Sequence, residues 1–226
     1  RNNSKTNQRT TTNNDCSDKK EEKVQLQKFL LPVYEKPKNS FFRAIHDLLL
    51  PVVLSDTSNK WIVSFQQIAG LTQDGKVKDK FLYYYFKFAA ACGEESFALM
   101  PLAVWLYLPL APALITNFGF VLLCAQITKE LFMLPRPLTR NVKYPVIKLE
   151  TTFDTEHGFP STHTCVGFLP FTILLRLSRV GIECTPTVWL SAAFMLVSII
   201  GSRLYLGVHS LVDIFGGMLF GTVMTV

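Results

Sequence analysis

Three short polar segments hold the side chains whose types and spacing could do chemistry. In the first, Lys129 and Arg136 stand seven positions apart. Seven positions are about two helical turns, so we expect both cations on one face of a helix. The second segment, 160–163, reads Pro-Ser-Thr-His, and the third, 202–213, contains an arginine, a histidine and an aspartate. Each segment borders an apolar stretch, which places its polar side chains at a helix end.

The basic side chains of these segments predict a site for a doubly charged oxyanion. Arg136 and Arg203 can grip oxygen atoms with their planar guanidinium groups, and Lys129 supplies a mobile point charge. The backbone N–H groups at a helix start around Ser161 and Thr162 would add hydrogen-bond donors, although both residues could also cap that helix. Phosphate is the anion that this combination favours.

The two histidines suit opposite roles in phosphate transfer. His209 and Asp213 have i,i+4 spacing, which lets the carboxylate orient the imidazole while the other ring nitrogen attacks phosphorus. His163 can give a proton to the departing alkoxide and later take one from the water that cleaves the phosphohistidine. Because the three cations neutralise the charge that Mg²⁺ would otherwise neutralise, we predict no metal and no cofactor.

The composition indicates what kind of molecule must position these residues. The chain has 226 residues, of which 49% are hydrophobic and 18% charged, and this is too apolar for a water-soluble enzyme. It also excludes a disordered chain, and five cysteines without a Cys-x-x-Cys pair do not favour a disulfide scaffold. The net charge of +6 comes from basic residues scattered among acidic ones, which favours a membrane surface over nucleic acid.

Apolar segments in the second part of the chain predict membrane helices of roughly 20 residues each. Prolines divide one stretch without charge, 96–128, between two of these helices. Lys87, Glu94 and Glu95 fall within the first helix and should face a polar interior or the lipid headgroups. The predicted segments are 81–108, 112–134, 164–179, 186–202 and 210–226.

The order of these helices predicts that the three polar segments meet at one membrane face. If 164–177 and 186–202 form an antiparallel helical pair, the start of the first and the end of the second lie on the same side. His163 is then brought close to Arg203. The helix before them ends on that side as well, because only the polar loop 135–159 separates it from His163.

The chain as a whole divides into three parts. Residues 1–23, whose only hydrophobic residue is Cys16, should form a disordered polar tail. Residues 24–80 should form an interfacial or juxtamembrane segment, and residues 81–226 the membrane core. The chain begins without Met and stops within an apolar run at Val226, so we expect a fragment of a longer protein.

In order and in polar content, the three segments resemble a known signature. They are similar to the lipid phosphate phosphatases of the type 2 phosphatidic acid phosphatase superfamily. Thr162 stands where the family more often has Gly, and this Thr is typical of the sphingosine-1-phosphate phosphatase branch. The stretches 81–88, 93–95 and 148–150, together with Glu156, resemble the same branch. The matching motifs are Lys129-x6-Arg136-Pro137, Pro160-Ser161-Thr162-His163 and Ser202-Arg203-x5-His209-x3-Asp213.

The resemblance covers residues 80–226 and implies an all-α fold, a polytopic membrane helix bundle with a phosphatase core of the type 2 phosphatidic acid phosphatase kind. It further implies a multi-pass protein of the endoplasmic reticulum membrane that removes phosphate from sphingosine-1-phosphate or dihydrosphingosine-1-phosphate at the lumenal face. The partners would be the phosphorylated sphingoid lipid and the bilayer. Arg176 and Arg179 suit a cytosolic turn, but the site loop is basic too, so charge does not decide the sidedness.

Two alternatives stay open at this stage. One is a broader lipid phosphatase acting on phosphatidate or polyprenyl pyrophosphate, because the motifs identify phosphate chemistry and say little about the alkyl part of the substrate. The other is a non-catalytic membrane protein that binds or transports lipid in an inherited pocket. In the loop, Asp154, Glu156 and His157 are interpreted as solvated rather than as metal ligands, while Lys148 and Glu150 could help to choose the lipid headgroup.

Overall fold

The computed structural model describes residues 36–94, 111–137, 142–150 and 156–225. Within these ranges the regular secondary structure consists of helices, as the composition and the apolar segments predict, and one isolated bridge joins Leu71 and Val77. The described helices are α1 (Ser40–Val53), α2 (Asp56–Ile68), α3 (Lys80–Cys92), α4 (Ala111–Phe132), α5 (Thr162–Gly167), α6 (Leu169–Arg179), α7 (Pro186–Tyr205) and α8 (Leu211–Thr225).

Short polar side chains begin several of these helices. Asn39 accepts a hydrogen bond from the N–H of Phe41 at the start of α1, and Ser55 does the same for Ser58 in α2. Asp79 caps α3, and Ser161 caps α5. Each cap satisfies a backbone donor that the first turn cannot pair internally, so these helix starts follow from the local sequence. The predicted tail, 1–23, lies outside the described residues.

Two of the predicted membrane segments are interrupted. The continuous helix predicted over 81–108 is wrong, because α3 ends at Cys92 with Gly93 as its C-cap; residues 95–110 lie outside the described ranges. A Cβ atom at Gly93 would lie only 3.1 Å from Cδ2 of His163, so the absence of a side chain lets the end of α3 approach this histidine. The segment 164–179 divides into α5 and α6 around Phe168.

Helix α7 lies at the centre of the described core and contacts α2, α3, α5 and α6. The rings of Phe86 in α3 and Tyr205 in α7 stack with centroids 4.8 Å apart. From α2, the side-chain amide of Gln66 donates hydrogen bonds to the carbonyls of Ile147 and Tyr205, at 2.6 and 2.9 Å. The loop before the second polar segment is thereby held beside the end of α7.

Helix α1 is attached to the end of α4. The buried imidazole of His46 donates from Nδ1 to the carbonyl oxygen of Phe132 at 2.8 Å. This contact and those of α2 show that part of the predicted interfacial segment, 24–80, packs on the helices that follow it. Where a domain boundary falls stays a prediction.

Large apolar side chains remain exposed on several helices. On α7 they include Phe194 and Val197, and on α8 Phe215 and Leu219, each 66% exposed or more. In the described part of the chain, Pro186–Tyr205 is the one helix long and apolar enough to cross a membrane, and Leu211–Val223 is a shorter apolar helix. Exposed apolar faces of this kind fit a protein surrounded by lipid. The larger number of spans stays a prediction.

Candidate active site

Lys129 and Arg136 meet at the same acidic residue, although they are not on one helix. Helix α4 ends at Phe132, and the next residue, Met133, has a φ of 50°. Pro135 cannot continue a helix and disfavours helical backbone before it, so the prediction of a shared helix face is wrong for Arg136. The buried Lys129 nevertheless donates from Nζ to Oε2 of Glu156 at 3.1 Å.

The guanidinium of Arg136 ties the loop after α4 to the other parts of the site. Its Nη1 donates to the carbonyl oxygen of Val208 at 2.7 Å, and its Nε donates to the carbonyl oxygen of Glu156 at 3.1 Å. Nη2 lies 4.0 Å from the Glu156 carboxylate. Arg136 therefore holds the residue just before His209, while its own charge faces the site.

His163 is positioned by the start of α5. Ser161 uses its hydroxyl to cap this helix, accepting from the Thr164 N–H at 3.4 Å and from the Thr164 hydroxyl at 3.0 Å. The N–H of Ser161 donates to the carbonyl oxygen of Asp213 at 3.0 Å. The capping alternative is thus observed for the Ser161 side chain, while Thr162 is the half-buried first residue of the helix.

Arg203 lies in the last turn of α7 and is fully buried. Its Nη2 lies 3.7 Å from Oε2 of Glu150, whose side chain is 23% exposed. After α7 the chain turns at Gly207, where φ is 69° and a Cβ would clash with the Ile147 carbonyl. Only glycine adopts this backbone without strain, so it is Gly207 that lets the chain turn from Arg203 to His209.

His209 and Asp213 meet across a turn rather than along a helix. Nδ1 of His209 lies 3.5 Å from Oδ2 of Asp213, and both side chains are buried. The same carboxylate oxygen accepts the N–H of Ser210 at 2.7 Å, and the Ser210 hydroxyl accepts the N–H of Asp213 at 3.2 Å. Since α8 begins only at Leu211, these capping contacts hold the carboxylate beside the imidazole.

The three polar segments come together around His209. Burial lowers the pKa of this imidazole well below its ordinary value, and the nearby charges of Arg136 and Arg203, with His163 and Lys129, lower it further. The ring is therefore neutral near pH 7. With Nδ1 directed at Asp213, the second ring nitrogen is left as a basic lone pair among the cations.

Glu156 is a site residue whose contacts the sequence did not predict. Its side chain is 41% exposed, yet it pairs with both Lys129 and Arg136, so the interpretation as a merely solvated loop residue is wrong. The sequence signal for it is its place among the residues that resemble the sphingosine-1-phosphate phosphatase branch. Asp154 lies outside the described residues, and across the described ranges no three His, Cys, Asp or Glu side chains are grouped as metal ligands.

Comparison with known families identifies the class of protein to which this fold and site belong. A family model described as the PAP2 superfamily matches residues 103–226, and the chain belongs to this superfamily. A solved structure of a transmembrane PAP2-type phosphatidylglycerolphosphate phosphatase from Bacillus subtilis aligns with a TM-score of 0.53 and 20% identity, over 81% of this chain and 90% of that one. At this identity the match supports the fold, and the predicted all-helical phosphatase core is confirmed.

The curated relatives that this chain matches are named after one branch of the superfamily. Sphingosine-1-phosphate phosphatase 2 of Mus musculus is 31% identical over 72% of this chain and 48% of its own length. Its Homo sapiens counterpart is 33% identical over 66% of this chain and 38% of its own length. A dihydrosphingosine 1-phosphate phosphatase of Saccharomyces cerevisiae is 30% identical, with the same two coverages as the human protein. The chain thus spans half or less of these relatives, and the family resemblance stated from the motifs is confirmed.

Proposed function

We propose that this protein is a metal-independent lipid phosphate phosphatase that removes phosphate from sphingosine-1-phosphate or dihydrosphingosine-1-phosphate. The observation that carries the proposal is the convergence of Lys129, Arg136 and Arg203 around the neutral imidazole of His209, whose Nδ1 lies 3.5 Å from Asp213. In the structure the carboxylates of Glu156 and Glu150 offset part of the charge of these three buried cations. A dianionic phosphate would supply further compensating charge.

The first step is attack on phosphorus. Nε2 of His209 forms a P–N bond, the ester P–O bond breaks, and its electron pair stays on the departing alkoxide oxygen. His163 gives its proton to that oxygen, so the lipid leaves as an alcohol. The dianion between the cations favours the protonated form of His163 once substrate is bound. Asp213 stabilises the positive charge that His209 acquires.

The second step returns the enzyme to its starting state. A water molecule attacks the phosphohistidine, the P–N bond breaks, and inorganic phosphate leaves. His163, now neutral, accepts the proton of this water. Throughout both steps the two guanidinium groups and Lys129 stabilise the charge on the non-bridging oxygens, which is greatest in the transition state.

The surroundings of the site support a lipid substrate. An apolar cleft lined by Val121, Cys165 and Phe168 lies beside helix α5, which carries His163. The exposed apolar faces of α7 and α8 would lie against acyl chains. The finer localisation, a multi-pass protein of the endoplasmic reticulum membrane with a lumenal site, belongs to this proposal and is tested by mapping glycosylation at a sequon inserted after Leu138.

The decisive experiment is a substrate panel on the protein in liposomes. We expect phosphate release from sphingosine-1-phosphate and dihydrosphingosine-1-phosphate to exceed that from phosphatidate. It should persist in EDTA and fall with vanadate, which mimics the phosphate transition state. Preference for phosphatidate would contradict the sphingoid assignment and favour a broader lipid phosphatase. No hydrolysis of any lipid phosphate would contradict the proposed enzyme and favour a non-catalytic lipid-binding protein.

A further inference from the structure

Carboxylates already occupy the cations that would bind phosphate. Glu156 pairs with Lys129 at 3.1 Å and lies 4.0 Å from Arg136, while Glu150 lies 3.7 Å from Arg203. A phosphate that bound Lys129 and Arg136 would have to take the place of the Glu156 carboxylate. The group that then pairs with the displaced carboxylate affects which phosphate ester binds more tightly.

The two carboxylates differ in their freedom to move. Oε2 of Glu150 is inaccessible to solvent, whereas the Glu156 side chain is 41% exposed. The backbone of Glu156 is also held in place, because its carbonyl oxygen accepts a hydrogen bond from Nε of Arg136 at 3.1 Å. Its carboxylate can therefore turn away from the cations while remaining next to the phosphate site.

A displaced Glu156 would be a negative charge beside a bound dianion, which is unfavourable unless a cation joins it. A phosphate monoester with a primary ammonium group two carbons from the ester oxygen carries such a cation at short range. A diacylglycerol phosphate carries none. The exposed position of Glu156 suits a headgroup that enters from solvent.

We propose that Glu156 exchanges its contacts with Lys129 and Arg136 for the ammonium group of a 2-amino phosphate monoester, and so selects zwitterionic lipid phosphates over those without an amine. The inference rests on the proposed function and adds to it the residue that reads the headgroup. Glu156 contacts the substrate in this scheme, and Glu150 remains with Arg203 to hold that guanidinium in place.

The test compares sphingosine-1-phosphate with its N-acetyl derivative, in which a neutral amide replaces the ammonium group. For the protein in liposomes, we expect kcat/KM to favour the free amine by about two- to fivefold, the change expected for one partly exposed ion pair. Glu156→Gln should bring the ratio of the two kcat/KM values close to one. It should also strengthen inhibition by inorganic phosphate, because no carboxylate competes for Lys129.

Two variants serve as controls for charge and for position. Glu130→Gln removes a carboxylate from an exposed position of α4 next to Lys129 and should keep the wild-type ratio. Glu156→Asp keeps the charge and should restore most of the preference that Glu156→Gln loses. If Glu156→Gln fails to fold, the wild-type ratio still tests the proposal, because equal kcat/KM values for the two lipids would overturn the role of Glu156.

The possible results distinguish the role of Glu156 from the phosphatase activity itself. A wild-type protein that hydrolyses both lipids with equal kcat/KM overturns the role of Glu156 and leaves the phosphatase assignment standing. A Glu156→Gln variant that keeps the wild-type preference overturns that role in the same way. A wild-type protein that hydrolyses neither lipid overturns the proposed function.

Discussion

The backbone N–H of Ser161 donates a hydrogen bond to the backbone carbonyl of Asp213 at 3.0 Å. These residues are far apart in sequence, and each lies within a few positions of a histidine that is a catalytic candidate. His163 follows Ser161 by two positions, and His209 precedes Asp213 by four. One main-chain contact thus joins the second polar segment to the third. Because the donor and the acceptor are both backbone atoms, substitution of the neighbouring side chains leaves this contact available.

His209 is expected to be the nucleophile. Replacing it by Ala removes the ring nitrogen that would form the P–N bond, so turnover should fall by about a thousandfold or more. The measurement is phosphate release from sphingosine-1-phosphate, together with labelling of the protein by ³²P-labelled substrate and quenching in alkaline detergent, in which a phosphohistidine is stable. The wild type should show an acid-labile label that His209→Ala lacks. Unchanged hydrolysis in His209→Ala would refute the assignment.

His163 is expected to act through the leaving group. His163→Ala should lower hydrolysis of a sphingoid-base phosphate by about a hundredfold or more, because its alkoxide needs a proton to leave. An aryl phosphate such as p-nitrophenyl phosphate needs little such help, so release of its alcohol in the first turnover should fall far less, although hydrolysis of the phosphohistidine still requires His163. Equal losses of first-turnover alcohol release on the two substrates would argue against a role of His163 at the leaving group.

Arg136 should not be replaceable by lysine. Its guanidinium donates to Val208 and to Glu156 and still faces the phosphate site, and a single ammonium group cannot make these contacts together. Arg136→Lys should raise KM by about tenfold or more and lower kcat as well, with KM and kcat measured separately on the liposome-bound protein. Kinetics like the wild type's would show that one positive charge is sufficient there.

Gly207 is expected to be intolerant of any side chain. Its φ of 69° and its closeness to the Ile147 carbonyl mean that Gly207→Ala should destabilise the fold by about 1–3 kcal/mol and displace His209. Gly181 is the matched control, since its φ is 80° but a Cβ there would have no atom within 4 Å. Gly181→Ala should cost only about 1 kcal/mol and keep activity. Thermal unfolding and phosphate release check both, and equal effects would contradict the clash.

The neutral His209 should also make stability depend on pH. Its pKa in the folded state lies well below the ordinary value of 6.5, so the unfolded chain binds more protons below that value. The stabilisation is therefore complete above about pH 6.5 and is lost as the pH falls toward the lowered pKa. Thermal unfolding between about pH 7 and pH 5 should show a larger loss of stability for wild type than for His209→Gln. Parallel pH profiles would contradict a buried neutral imidazole.

Much of the helical architecture could be predicted because its signals are local. Asn39, Ser55 and Asp79 stand just before apolar stretches and cap the helices that follow. The segment predicted over 186–202 is observed as Pro186–Tyr205. The end of α3 at Gly93 was not predicted, because the apolar run continues beyond it. The glycine is needed there because the ring of His163, which is distant in sequence, lies too close to leave room for a side chain.

The amino-acid sequence by itself determined the chemistry available to this protein: three cations, two histidines and an aspartate at helix ends, in the order typical of one phosphatase superfamily. Only the tertiary structure decided how they are paired. Arg136 reaches the carbonyl of Val208, which is 72 positions away, and Lys129 reaches Glu156. Such contacts join residues that are distant in sequence. They depend on how the helices and loops pack, so no local sequence pattern predicts them.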